Sequence, residues 1–213
     1  MKIGIIGSGD IGGNLGKHWA KAGHSVLFSS RHPNNLKSLV IEAGENARAV
    51  SVSEVFEANA DVYLLAVPFK AIDEIAELYA GEYDGKIIID ATNPYPERDG
   101  VVAQKVRAAN YNASEYTAMK FGTAKTVKAF NTIYAEHLKK RAFSNTDKIT
   151  IPFAAQDQQS REKGEQLIED IGFDSLYIGD LSASHIMDPN QALYGKSLDK
   201  NELEALVNAT KVH

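Results

Sequence analysis

The sequence predicts an α/β protein: a Rossmann-type doubly wound parallel sheet with a small C-terminal α/β lobe. Three observations predict it. Short apolar runs alternate with stretches of helical periodicity from the first residues onward. A glycine-rich turn joins the first apolar run to the first helical stretch. The apolar runs, such as Val62 to Val67 and Ile87 to Ile89, are far too short to cross a bilayer and read as buried strands. At 213 residues, with 44% hydrophobic and 24% charged residues, the chain has globular composition and is long enough to bury a substantial core.

The elements follow in order. Lys2 to Ile6 is a strand that runs into glycines, and Asn14 to Ala22 sets Leu15, Trp19 and Ala22 on one helical stripe. Gly23 ends that helix, and Ser25 to Ser29 is the next strand. A helix over Leu36 to Ala43, a strand over Ala47 to Ser51 and a helix capped by Ser53 come next. Asp61 to Val67 is a strand, Ile72 to Tyr79 a helix, Lys86 to Asp90 a strand, Val102 to Ala109 a helix and Thr126 to Asn131 a strand. Beyond these come a helix over Ala135 to Ala142, a strand over Lys148 to Ala155, a helix over Ser160 to Ile171 and a strand over Asp174 to Ile178. Ser182 to Tyr194 is compatible with a helix in spite of Pro189. A nucleotide-binding domain is therefore expected over 1–131 and a small C-terminal domain over 132–213, packed together because no linker-like segment separates them.

Charge and composition narrow the function. A net charge of −5 argues against nucleic-acid or anionic-membrane binding, which draws on surplus Lys and Arg, and so points to a small-molecule partner. The absence of cysteine removes disulfides, thiolate metal sites and thiol nucleophiles. The six histidines are scattered without metal spacing, so no metal is expected. The chain opens directly into a strand pattern, which makes the cytoplasm the expected location.

Gly7-Ser8-Gly9-Asp10-Ile11-Gly12 follows a strand and opens a helix, the context that a dinucleotide fingerprint requires. Gly7 permits the turn, Gly9 admits a diphosphate to the backbone, and Gly12 lets helix and strand touch; the helix N-terminus offers N–H groups to the phosphates. A site for NAD wants a carboxylate at the end of the second strand, about 20 residues on, for the ribose 2′-hydroxyl. Here that place holds Ser29-Ser30-Arg31, whose hydroxyl and guanidinium suit a 2′-phosphate, so NADP(H) is the expected cofactor. The bland alternative makes Arg31 a solvated loop cation. Asn35 and His32 are secondary candidates beside it.

Ala66-Val67-Pro68-Phe69 ends the fourth strand on the sheet edge where ligands of such folds bind. Phe69 either lies against the cofactor or forms a hydrophobic lid over the next helix. Asn93 and Asn131 end later strands on the same edge and either bond the nicotinamide end or serve as helix caps. Tyr116 and Lys120 imitate the catalytic pair of short-chain dehydrogenases, but the glycine spacing differs from that family's, and the match reads as coincidence.

Gly7 to Gly12, Ser30-Arg31, Val67-Pro68-Phe69, Ala91-Thr92-Asn93-Pro94 and Val127 to Thr132 together resemble the NADPH-dependent coenzyme F420 reductase family, F420H2:NADP oxidoreductase-like, nearly end to end. The resemblance implies hydride exchange between a nicotinamide and a small-molecule acceptor of flavin or deazaflavin type, with coenzyme F420 or a flavin as second substrate. It implies a homodimer and no side-chain nucleophile, and it leaves any catalytic residue unassigned. It places Asn131 and the segment Asp180 to Ser184 beside the acceptor. Asn131 stands where archaeal deazaflavin reductases carry a histidine, which leaves the acceptor open. The alternative function is a non-catalytic NADP(H)-binding redox sensor. An imine reductase ranks below both, because a long helical dimerisation domain would not fit in the remaining chain.

Overall fold

The computed structural model describes residues 1–108 and 111–210. Its first half runs β1 (Lys2–Ile6), α1 (Asp10–Lys21), β2 (Ser25–Ser29), α2 (Lys37–Ala43), β3 (Ala47–Val50), α3 (Val52–Glu57), β4 (Val62–Leu65), α4 (Ile72–Leu78) and β5 (Ile87–Asp90). The second half runs α5 (Pro96–Asp99), α6 (Val101–Ala108), α7 (Ala113–Lys120), β6 (Lys125–Lys128), α8 (Ala135–Arg141), β7 (Thr150–Ala155), α9 (Gln158–Glu169), β8 (Asp174–Gly179) and α10 (Lys200–Thr210). Short 3₁₀ segments occupy Pro33–Leu36, Phe69–Ala71 and Leu181–Met187.

Among the described residues the strands form one eight-stranded sheet in the order β3-β2-β1-β4-β5-β6-β7-β8. Pairing is parallel from β3 through β6; β7 then runs antiparallel to β6, and β8 parallel to β7. The C-terminal strands thus extend the sheet of the N-terminal ones. Asn131, where the sequence places a domain boundary, falls just beyond β6, beside this reversal of direction.

The sheet forms because its strands are apolar on both faces. Ile3, Ile5, Val62, Leu64, Ile87 and Ile89 share a core with Leu15 and Trp19 of α1 and Leu167 and Ile168 of α9. The intervening Tyr63, Leu65 and Ile88 join Val55 and Phe56 of α3, Ile72 and Ile75 of α4 and Ala113 of α7. A smaller cluster seats Leu203 and Val207 of α10 against Ala154, Ile178 and Met187. Trp19 is fully buried, packs edge-on against Phe130, and donates its indole N–H to the Leu167 carbonyl at 2.9 Å.

Several expectations need correction. The cap of α3 is Ser51: its hydroxyl accepts from Glu54 N while the Glu54 carboxylate accepts from Ser51 N, a reciprocal pairing that the Ser53 assignment places two residues late. Ser182 to Tyr194 is not one helix; a 3₁₀ segment ends at Met187, just before Pro189. The helix expected over Val102 to Ala109 is α6, and Ala109 lies outside the described residues. Helices α5, α7 and α10 were not expected. The apolar residues of α7 do not gather on one face, yet Asn112 and Glu115 form a capping box at its start. Asp199 and Glu202 make the same reciprocal pair before α10.

Two histidines make stability depend on pH. His18 of α1 bonds the Leu138 carbonyl at 3.1 Å, and its pKa is lowered mainly by burial, then by Lys17 and Lys21. His24, 3.0 Å from an Asp170 oxygen, is lowered first by burial and next by the N-terminal charge. Because both folded-state values lie below the ordinary 6.5, the unfolded chain binds more protons. The stability of the neutral rings is complete above that value and is lost as pH falls through the folded values. Urea unfolding midpoints should therefore drop from about pH 7 to about pH 5. A His18→Gln, His24→Gln variant should show a shallower drop, and an unchanged slope would contradict this origin.

Candidate functional site

The strand order reverses between β1 and β4, whose following helices belong to opposite faces, and a crevice opens beyond the carboxyl ends of the strands. It holds a cavity of about 970 Å³ walled by the β1–α1 turn, the ends of β2, β3 and β4, and α4.

The glycines of the β1–α1 turn divide by function. Gly7 has φ +99°, and a β-carbon there would collide with the Ala66 carbonyl and approach Val67 Cγ1 to 2.9 Å. A β-carbon on Gly12 would collide with the Gly7 carbonyl oxygen. These two glycines satisfy the protein's own packing. Gly9 differs: it is the N-cap of α1, no side chain caps the helix, and nothing lies within 4 Å of where its β-carbon would stand. Only something occupying the cavity would exclude a side chain from Gly9.

Ser8 donates to the Ser29 carbonyl at 3.0 Å and Ser29 to the Ile5 carbonyl at 2.7 Å, stitching the turn to β2. Asp10 and Ile11 belong to the first turn of α1; Asp10 is exposed and Ile11 packs against the core, so neither lines the cavity. Ser30 and Arg31 do line it. The Ser30 hydroxyl accepts from His32 N at 3.0 Å, and among the described residues Arg31 has neither a hydrogen bond nor an ion pair. Asn35 and His32 stay outside the lining; Asn35 N donates to the His32 carbonyl across the 3₁₀ turn. Glu74 on α4 is the sole acidic residue among those lining the cavity, and the end of β2 carries no carboxylate.

Ala66, Val67 and Pro68 line the cavity as the strand-end position predicts. Phe69 does not; it is fully buried, and its ring packs against Tyr116 of α7 at 5.3 Å between centroids. Asn93 and Asn131 are also absent from this cavity and bind one another. Asn93 Nδ2 donates to the Asn131 carbonyl at 2.8 Å, and Asn131 Nδ2 donates to Asn93 Oδ1 at 3.1 Å and to the Met187 carbonyl at 2.8 Å. They fasten the loops after β5 and β6 to the 3₁₀ segment. A second cavity of about 470 Å³ opens beside Pro94, walled by Asn112, His185 and Asp188 to Gln191. Burial raises the pKa of Asp188 there, against the pull of Lys128.

Sequence reasoning missed Ser51, Val52, Ser53, Lys70 and the α4 wall. Parallel register held the signal for the first three: Ser29 pairs with Val50, so the residues after β3 lie beside Ser30 and Arg31. The Tyr116 hydroxyl donates to Asp73 at 2.6 Å, which with burial raises its pKa, and Lys120 pairs with Asp73 at 3.2 Å. A tyrosine so held is no short-chain-dehydrogenase acid. Among the described residues no cluster of three or more His, Asp or Glu has the makings of a metal site, and no helix is long and apolar enough to cross a membrane.

Residues 2–94, which hold the glycine turn, Ser30-Arg31 and the β4 end, match the family described as NADP oxidoreductase, coenzyme F420-dependent. The rat protein Metalloreductase STEAP3 is 26% identical over 183 residues, 86% of this chain but 35% of that protein, so the chain spans about a third of that protein's length. A hypothetical protein of Sinorhizobium meliloti shares the structure with a TM-score of 0.82 and 26% identity, covering 94% of this chain and 96% of that one. An Arthrobacter protein assigned as an F420-dependent NADP reductase shares the fold with a TM-score of 0.69 and 22% identity, covering 87% of each chain.

Beneath the β5 loop lies a buried ion pair. Lys128 and Asp90 are fully buried and 3.2 Å apart; Lys128 also donates to the Thr92 carbonyl at 2.6 Å, and Thr117 donates to Asp90 at 2.8 Å. Thr92 donates to the other Asp90 oxygen from its N and its hydroxyl. Lys128→Met strands a carboxylate in the core and should cost about 3–5 kcal/mol in urea denaturation. Lys128→Met with Asp90→Leu should recover much of that loss; a double variant as unstable as the single one would refute the uncompensated-charge account.

Proposed function

We propose that this chain, a relative of the NADP-dependent oxidoreductases, binds NADP(H) in the larger cavity and passes a hydride between its nicotinamide and a flavin- or deazaflavin-like acceptor. The carrying observation is the end of β2, where a hydroxyl and an unpaired guanidinium line the cavity and no carboxylate stands to repel a 2′-phosphate. Gly7, Ser8, Gly9 and the open N-terminus of α1 would receive the diphosphate, and Ser30 and Arg31 the 2′-phosphate. Val67 and Pro68 would flank the coenzyme.

The coenzyme, held by the glycine turn, Ser30 and Arg31, would supply a hydride for a ring acceptor. The chain's own part is positional. The ion pair of Asp90 and Lys128 and the mutual amide bonds of Asn93 and Asn131 fix the loops beyond β5 and β6, which favours a set ring-to-ring geometry.

Calorimetry should find NADPH binding tighter than NADH. Arg31→Ala should weaken NADPH by about 1–3 kcal/mol and spare NADH; equal losses would remove Arg31 from the 2′-phosphate. Because the β-carbon at Gly9 meets open space, Gly9→Val should still fold, with a small loss from its poorer N-cap, yet lose NADPH binding. A folded variant with undiminished affinity would displace the diphosphate from the turn. NADPH oxidation followed with FMN and with coenzyme F420 tests turnover; tight binding without turnover on any ring acceptor would favour the sensor function.

A further inference from the structure

We propose that Lys70 is a second phosphate-pairing cation of this site, serving the coenzyme's diphosphate while Arg31 serves the ribose phosphate; the proposal rests on the NADP(H) assignment above. Lys70 lines the larger cavity, and among the described residues its ammonium has no hydrogen bond or ion pair. Lys37, Lys139 and Lys196 are likewise without an ion pair among the described residues, but of the lysines Lys70 alone lines the cavity. Glu74, one helical turn on and lining the same wall, forms no ion pair with it.

The backbone beneath Lys70 is pinned. On one side the Phe69 ring is fully buried against Tyr116. Lys70 N itself donates to Asp99 Oδ1 at 3.3 Å, and Ala71 N to the Pro68 carbonyl at 2.9 Å. The Asp99 side chain, wholly buried, also accepts from Tyr95 N at 3.0 Å and from Arg98 at 2.8 Å. Lys70 is exposed, and its ammonium reaches the cavity on a four-carbon stem that starts from this fixed backbone.

Sheet order decides which phosphate it meets. β1 leads into the glycine turn and lies between β2 and β4. Arg31 follows β2 on one side, and Lys70 follows β4 on the other, where the Ala66 carbonyl abuts Gly7. The two cations thus flank the diphosphate turn from opposite sides, and only Arg31 shares the β2 side with the 2′-phosphate place.

The test is calorimetric titration of wild type, Lys70→Met, Lys70→Arg and Arg31→Ala with NADPH, NADH and 2′-AMP, which lacks the diphosphate. Lys70→Met should weaken NADPH and NADH by the same factor, about fivefold, and leave 2′-AMP unchanged; Lys70→Arg should restore both. Arg31→Ala should do the opposite, weakening NADPH and 2′-AMP and sparing NADH. Wild-type-like affinity of a folded Lys70→Met protein for both dinucleotides, or a loss confined to NADPH, would overturn the proposal. If wild type binds neither dinucleotide, the coenzyme assignment itself falls; if wild type binds and Lys70→Met is unaltered, the lysine alone is at fault.

Discussion

The rest of the structure depends on one close approach. The chain leaving β1 passes the end of β4 so tightly that Gly7 has no room for a β-carbon, and α1 begins so close to that turn that Gly12, against the Gly7 carbonyl, has none either. The approach packs α1 against one face of the sheet and leaves its first turn open at Gly9, where nothing of the protein intrudes. A helix terminus without a side-chain cap is a standing set of unsatisfied donors. The fold has placed those donors on the wall of the larger cavity, which Arg31 and Lys70 also line, a combination that favours a multiply charged anion.

Around this turn the molecule separates rigid from unoccupied parts. The polar groups at the ends of β5 and β6 are bonded to one another: Asp90 to Lys128 and Thr117, Asn93 to Asn131, Asn131 to the Met187 carbonyl. Such a network adds little net stability and is costly to break, so its effect is to hold one arrangement of the loops. The β2 and β4 ends instead leave Arg31 and the Lys70 ammonium without partners among the described residues. Loops tied together on one side, with Asn131 Oδ1 and Thr132 Oγ1 buried and unpaired among them, and uncommitted cations on the other fit a scaffold that orients a flexible dinucleotide.

Much of this was legible in the sequence because period and punctuation carry it. β2 matches its expected span residue for residue, since Gly23 and a strand pattern bracket it. The glycine turn was readable because each glycine stands at a fixed offset from a strand and a helix. What escaped had a different cause. Helix α7 covers part of the sheet without a single apolar stripe, so periodicity was silent and only its capping box spoke. Asn93 and Asn131 were placed correctly at the sheet edge, but a side chain's partner there depends on residues 38 apart. Ser51 and Lys70 entered the cavity wall through strand order, a tertiary property that no local window contains.

The indole of Trp19 carries a consequence for how the protein is made. Its N–H is satisfied by the carbonyl of Leu167, 148 residues downstream. During synthesis, the first βα unit therefore leaves the ribosome with an unfilled donor and an exposed aromatic face long before its partner helix exists. A contact of such sequence separation closes late and slowly. Truncation before α9 would yield a nascent chain that keeps its nucleotide-binding motif but lacks the means to bury it, a natural client for chaperones.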